Sequence, residues 1–142
     1  MLMILDTNIL SLMQRQVQPA TDRITARLCL LSAQDQWTTI ITFQEQTKGW
    51  LAAIHHARNE SQLLAGYRAL LELLDDFRKL NVFPFDEDAL AIFRNLKAKR
   101  LVVGTRDLRI ASIALARGAK VITQNLKDFE KVPGLVVEDW TV

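Results

Sequence analysis

Five short apolar runs, Leu2 to Leu5, Trp37 to Ile41, Val82 to Phe85, Lys120 to Thr123 and Leu135 to Val137, are separated by longer segments whose apolar residues recur every three or four positions. A run too short for a helix and apolar at nearly every position reads as a strand buried on both faces, as in a parallel sheet. Strands alternating with helices imply right-handed crossovers and helices covering both faces of a mostly parallel sheet of four to five strands. Ligands of such sheets bind outside the carboxyl ends of the strands.

Between the runs, Leu10, Leu12 and Met13 give helical spacing, and a second helix is expected from about Thr21 to Ser32 after the break at Pro19. Thr42 is the expected N-cap of a third helix through Trp50, Leu51 and Ile54, with Glu45 as its capping-box partner in the first turn. Glu60 to Leu80 carries seven apolar residues at three- and four-residue spacing, from Leu63 to Phe77, and predicts a long amphipathic helix. Most of that stripe, with Trp50, Leu51 and Ile54, is expected to be core. Asp86 caps a helix to Leu96, Asp107 opens an Ala-rich helix that ends at Gly118, and Leu126 to Gly134 reads as a loop.

At 142 residues and 49% hydrophobic, the chain suits one domain, 1–142, without repeats or low-complexity segments. The formal charge of +2 is too small to argue for a nucleic-acid partner by itself. Cys29, the single cysteine, excludes an intrachain disulfide, points to a reducing compartment, and is expected in the core because Leu28, Leu30 and Leu31 flank it. Polar residues interrupt the N-terminus early and no segment reaches the roughly 18 apolar residues of a membrane span, so a cytoplasmic protein is expected.

Four polar features lie where apolar runs end or helices begin: Asp6, Glu45, Asp107, and Asn125 to Asp128. Convergent carboxylates repel one another unless a cation is present, and oxygen donors select a hard divalent ion, Mg²⁺ or Mn²⁺. No His or Cys spacing suits zinc, since Cys29 is alone and the adjacent His55 and His56 point about 100° apart on a helix. Neither a nucleophile elbow nor a phosphate-cradling glycine loop is present. Each acid also has a structural reading: Asp6 and Thr7 cap a helix, Glu45 completes a capping box, and Asp107 complements a helix dipole.

Leu5-Asp6-Thr7-Asn8, Glu45, Gly104-Thr105-Arg106-Asp107 with Ile110-Ala111, Thr123-Gln124-Asn125 with Asp128-Phe129, and Val132-Pro133-Gly134-Leu135 with Glu138-Asp139-Trp140 together resemble the PIN-domain family, in particular its VapC toxins, over the whole chain. The resemblance implies a three-layer α/β/α fold in which Asp6, Glu45 and Asp107 hold the metal directly or through water. Asn125 matches a position where many PIN domains carry a fourth acid. An amide there brings no charge, which leaves one or two metals open, with Asp128 as partial compensation. Thr7, Asn8, Thr123 and Asp128 stand around the ligands, Thr123 either orienting a ligand or the attacking water or only bonding backbone. The implied reaction is in-line attack of metal-activated water on RNA, leaving 5′-phosphate and 3′-hydroxyl ends. Arg106, Arg109 and Lys97, with Lys99, Arg100 and Lys127, are candidate holders of the substrate backbone. The resemblance further implies a homodimer and a cognate antitoxin that packs in a groove and reaches the acids.

Two rival functions use the same residues. One is a metal-dependent phosphoesterase for DNA or flap structures, against which the brief connections argue. The other is a catalytically silent PIN-like binding module, which Asn125 leaves open and the trio Asp6, Glu45 and Asp107 opposes.

Overall fold

A computed structural model describes residues 1–142. Five strands form one parallel sheet: β1 (Met3–Leu5), β2 (Gln36–Thr39), β3 (Val82–Phe83), β4 (Lys120–Ile122) and β5 (Val137–Glu138), in the order β3-β2-β1-β4-β5. Every residue of β1 is buried, as its continuous apolar run requires of the central strand. Successive residues point to opposite faces. Ile4 joins the larger core with α5 (Glu87–Ala98), α6 (Thr105–Arg117) and α7 (Leu126–Phe129); Met3 and Leu5 join the smaller one with α1 (Thr7–Gln14), α2 (Ala20–Leu28) and Trp140. The result is an α/β/α stack.

The chain runs outward from β1 through β2 to β3, then crosses to the other side of β1 for β4 and β5. The strand order reverses between β1 and β4, the place where open sheets of this kind bind ligands at the carboxyl ends of their strands. Leu5 pairs with Ile122 in register, so Asp6 and Thr123 leave the sheet side by side.

The helices α3 (Ile40–His55) and α4 (Glu60–Lys79) form a pair at one side, where α4 packs on α3 and on little else. Their axes approach closely at Gly66, where a Cβ would stand 2.7 Å from Ile54 Cγ1. No helix is long and apolar enough to cross a membrane.

Several local expectations are corrected. Strand β2 stops at Thr39, whose hydroxyl accepts from the Thr42 amide, so Thr39 and not Thr42 caps α3. Glu45 therefore lies one turn further in and takes no part in a capping box. Leu126–Phe129 is a short helix rather than loop, and the last strand is Val137–Glu138 instead of Leu135 to Val137. Cys29 is exposed, because α2 ends at Leu28 and the chain turns outward through Leu30, itself 85% exposed. The stripe on α3 and α4 is mostly uncovered: Trp50, Leu51, Leu63, Leu64, Tyr67, Leu71 and Leu74 are all exposed, and of the 20 residues of α4 only Gly66 and Leu73 are buried.

Candidate active site

Asp6 follows β1 directly and caps α1, its Oδ1 accepting from the Thr7 amide at 2.7 Å. Its other oxygen, Oδ2, accepts from the Thr123 hydroxyl at 2.8 Å, across the gap between β1 and β4. The residue is fully buried. Burial pushes its carboxyl above the usual range, the Thr123 and Thr7 bonds oppose that rise, and the nearby Asp107 charge adds to it.

Asp107 stands in the first turn of α6, whose N-terminal dipole favours an acid. It is 5% exposed and accepts from the Asn125 amide group at 2.9 Å through Oδ2. The same Asn125 Nδ2 lies 3.0 Å from Asp128 Oδ2, and this bond, ahead of the pull of Lys131, keeps the Asp128 carboxyl below its usual range. Asn125 thus connects two acids without adding a charge. The Thr123 hydroxyl also accepts from the Asn125 backbone amide at 2.9 Å, and Asn8 Nδ2 lies 3.5 Å from it. The Thr7 hydroxyl is 3.0 Å from that of Thr42 at the start of α3.

Glu45 reaches the cluster from α3 through Arg106. The Arg106 guanidinium donates to Glu45 Oε1 by Nη1 and to Asp107 Oδ1 by Nε and Nη2, at 3.0 and 2.8 Å for the last two. Partial burial disfavours the guanidinium charge, but the bonds to Asp107 and Glu45 outweigh it and raise the pKa of Arg106 further. Arg106 is therefore committed to the acids in this structure, not open for substrate as a sequence-only reading expects.

Glu45 Oε2 is buried without a hydrogen-bond partner. An orphaned carboxylate oxygen, linked through Arg106 to the buried Asp107, and the buried Asp6 near Asp107 are oxygen donors of the kind a hard cation takes. As the side chains stand, no group of three or more His, Cys, Asp or Glu is arranged to hold one ion together, and Arg106 bonds to two of the three acids concerned.

Beside Glu45 lies a cavity of about 280 Å³ lined by Ile41, Gln44, Glu45, Lys48, Arg106 and Arg109. Lys48 is the residue that reading the sequence passed over; it sits three positions after Glu45, on the same helix face. Lys97 does not line this cavity: its ammonium lies 5.5 Å from the centre of the Phe93 ring, toward which Arg109 also leans at 5.6 Å. Lys99 and Arg100 follow the end of α5, and Lys127 lies on α7; none bonds to Asp6, Glu45 or Asp107.

The family model of the PIN domain matches residues 3–135. The tRNA(fMet)-specific endonuclease VapC of Salmonella typhimurium is 32% identical over 82% of this chain and 77% of its own length. This chain is a PIN domain of the VapC family. Ribonuclease VapC1 of Haemophilus influenzae (strain R2866) is 30% identical over 99% of both chains. Among solved structures, that of DNA-bound VapBC from Salmonella typhimurium superposes with a TM-score of 0.77 at 29% identity, covering 99% of each chain. The shared architecture is the PIN domain's parallel sheet with helices on both faces, and the acids at its carboxyl edge come from β1, α3 and α6 of that frame.

Proposed function

We propose that this single-domain VapC-family protein is an endoribonuclease that depends on Mg²⁺ or Mn²⁺, acts as the toxin of a toxin-antitoxin pair, and leaves 5′-phosphate and 3′-hydroxyl ends. Family membership supports the ribonuclease class. One observation supports the assignment of residues: the buried carboxylates of Asp6 and Asp107 act on each other's charge, and Arg106 links Asp107 to Glu45, whose other oxygen is buried without a partner.

Asp6, Asp107 and Glu45 would hold the cation. When bound, such an ion activates water and neutralises charge developing on the phosphoryl group. The rest of the chemistry belongs to the chain. Thr123 and the Thr7 amide fix the Asp6 carboxylate, so its oxygens need no reorganisation. Asn125 holds Asp107 by a neutral donor, which orients it without competing for charge. Arg109 and Lys48 border the cavity beside Glu45 and would hold the RNA backbone through its phosphates.

The silencing partner would be an antitoxin protein covering the exposed apolar residues of α3 and α4. A cavity of about 350 Å³ lies among them, lined by Phe43, Thr47, Tyr67, Leu70, Leu71, Leu73 and Leu74.

The test is to incubate antitoxin-free protein with total cellular RNA in Mg²⁺, in EDTA and as Asp6→Asn, which keeps the helix cap, and to map the ends. Discrete 5′-phosphate cuts, reduced at least about 100-fold in the variant and lost in EDTA, are expected. RNA left intact under every condition overturns the reading, and cuts that persist in EDTA overturn its metal dependence.

A further inference from the structure

Arg106 places three N–H donors on two oxygens of the carboxylates that the proposed function gives to a metal ion. It uses Asp107 Oδ1 twice and Glu45 Oε1 once. Asp107 is nearly closed off from water, its side chain 8% exposed, while the Arg106 side chain is 40% exposed. The guanidinium therefore acts as a resident counter-cation for acids that would otherwise repel each other. A divalent ion that took the same oxygens would have to displace it. Arginine does not leave by giving up a proton at any ordinary pH, so it has to move.

The structure provides somewhere to move. Arg106 already borders the cavity it shares with Lys48 and Arg109, where Glu45 is the sole carboxylate. Lys48 and Arg109 make no ion pair of their own. A guanidinium turned into that space joins two other cations, and its planar fork matches two oxygens of a phosphate.

We propose that Arg106 is an exchange residue, held by Glu45 and Asp107 in the metal-free protein and released by the divalent ion to complete a phosphate subsite with Lys48 and Arg109. This rests on the metal-dependent reading above. Metal and RNA phosphate then favour each other's binding, because each stabilises the arrangement in which Arg106 has left the acids, and such coupling is reciprocal. Arg106 on this account lowers intrinsic metal affinity and in return ties metal binding to the presence of substrate.

The experiment is calorimetric titration of metal-free protein with Mn²⁺, without RNA, for the native chain, Arg106→Gln and Arg106→Lys. Arg106→Gln should bind Mn²⁺ about tenfold more tightly, and saturating Mn²⁺ should raise its Tm by more than it raises that of the native chain. Its RNA cleavage at saturating metal should nonetheless fall, so affinity and rate move in opposite directions. Arg106→Lys, which keeps a charge but cannot bridge both acids with one fork, should have intermediate affinity, and it carries the test if the glutamine variant does not fold. Equal Mn²⁺ affinity in native and variant chains overturns the inference and leaves the metal reading intact; no binding by any of them overturns both.

Discussion

The helices α4 and α6 carry similar apolar periodicity and opposite fates. In α6, Leu108, Ile110, Ala111, Ile113 and Ala114 are all buried against the sheet and α5. In α4, which has six leucines to the two of α6, Leu64 is 62% exposed and Leu71 66%. Periodicity reports that a helix has an apolar face; it does not report whether this chain covers that face. Both helices lie in connections between parallel strands, but α6 packs on α5 and on β4, whereas α4 packs on α3 and on little else. The dense region holds Asp107 in place, and the uncovered region is free to meet another molecule.

Four measurements sharpen that contrast. Ile113 is fully buried, so Ile113→Ala should cost about 3 kcal/mol in urea unfolding. A cost below about 1 kcal/mol would mean that the α6 side is no better packed than α4.

The dense side also buries charge. Because the folded-state carboxyl of Asp6 holds its proton more tightly than the unfolded chain does, with its ordinary value of 3.8, ionised Asp6 opposes folding. Its contribution to stability is most favourable below 3.8 and is lost as pH rises through its raised folded-state value. In EDTA at pH 7, Asp6→Asn should therefore be more stable than the native chain, and the difference should shrink as pH falls toward the ordinary carboxylate range. A variant less stable at pH 7 would show that the Thr123 and Thr7 bonds outweigh burial.

The two helices also stop differently. Gly118 closes α6 at φ 63°, in the left-handed region, while Leu80 ends α4 in extended backbone at φ −94°. Gly118→Ala should cost about 1 kcal/mol by thermal unfolding. Smallest of all, Leu71→Ala should change stability by less than about 0.5 kcal/mol, because water already reaches that side chain. A larger loss would mean that α4 is covered in the isolated protein, as by a second copy, and stability rising with protein concentration would identify that cover.

The central strand is readable because it is buried on both faces. Leu2 to Leu5 has no polar position until Asp6, and that abrupt ending marks both the strand and the acid. The start of α3 was less readable: Ile40 and Ile41 are β-branched and extend the strand pattern, and Thr39 and Thr42 are equally able caps. Only the hydrogen bond between them decides. Cys29 misled for a related reason, since Leu28 is the last residue of α2 to face inward and its apolar neighbours lie beyond the turn. At the candidate site, residue types and order along the chain pointed to Asp6, Glu45 and Asp107, while the pairing of Arg106 with two of them did not follow from its place one residue before Asp107. Side-chain direction across 61 residues of separation is a property of packed helices, not of spacing.

The bond from Thr123 to Asp6 joins positions 117 residues apart. In the order of synthesis, Asp6 precedes its partners Asp107, Thr123 and Asn125 by 101 to 119 residues. At ordinary translation rates the gap is on the order of ten seconds. A nascent chain cannot close the cluster before β4 is laid beside β1, so the acids of this site stay apart until the far half of the sheet has been made.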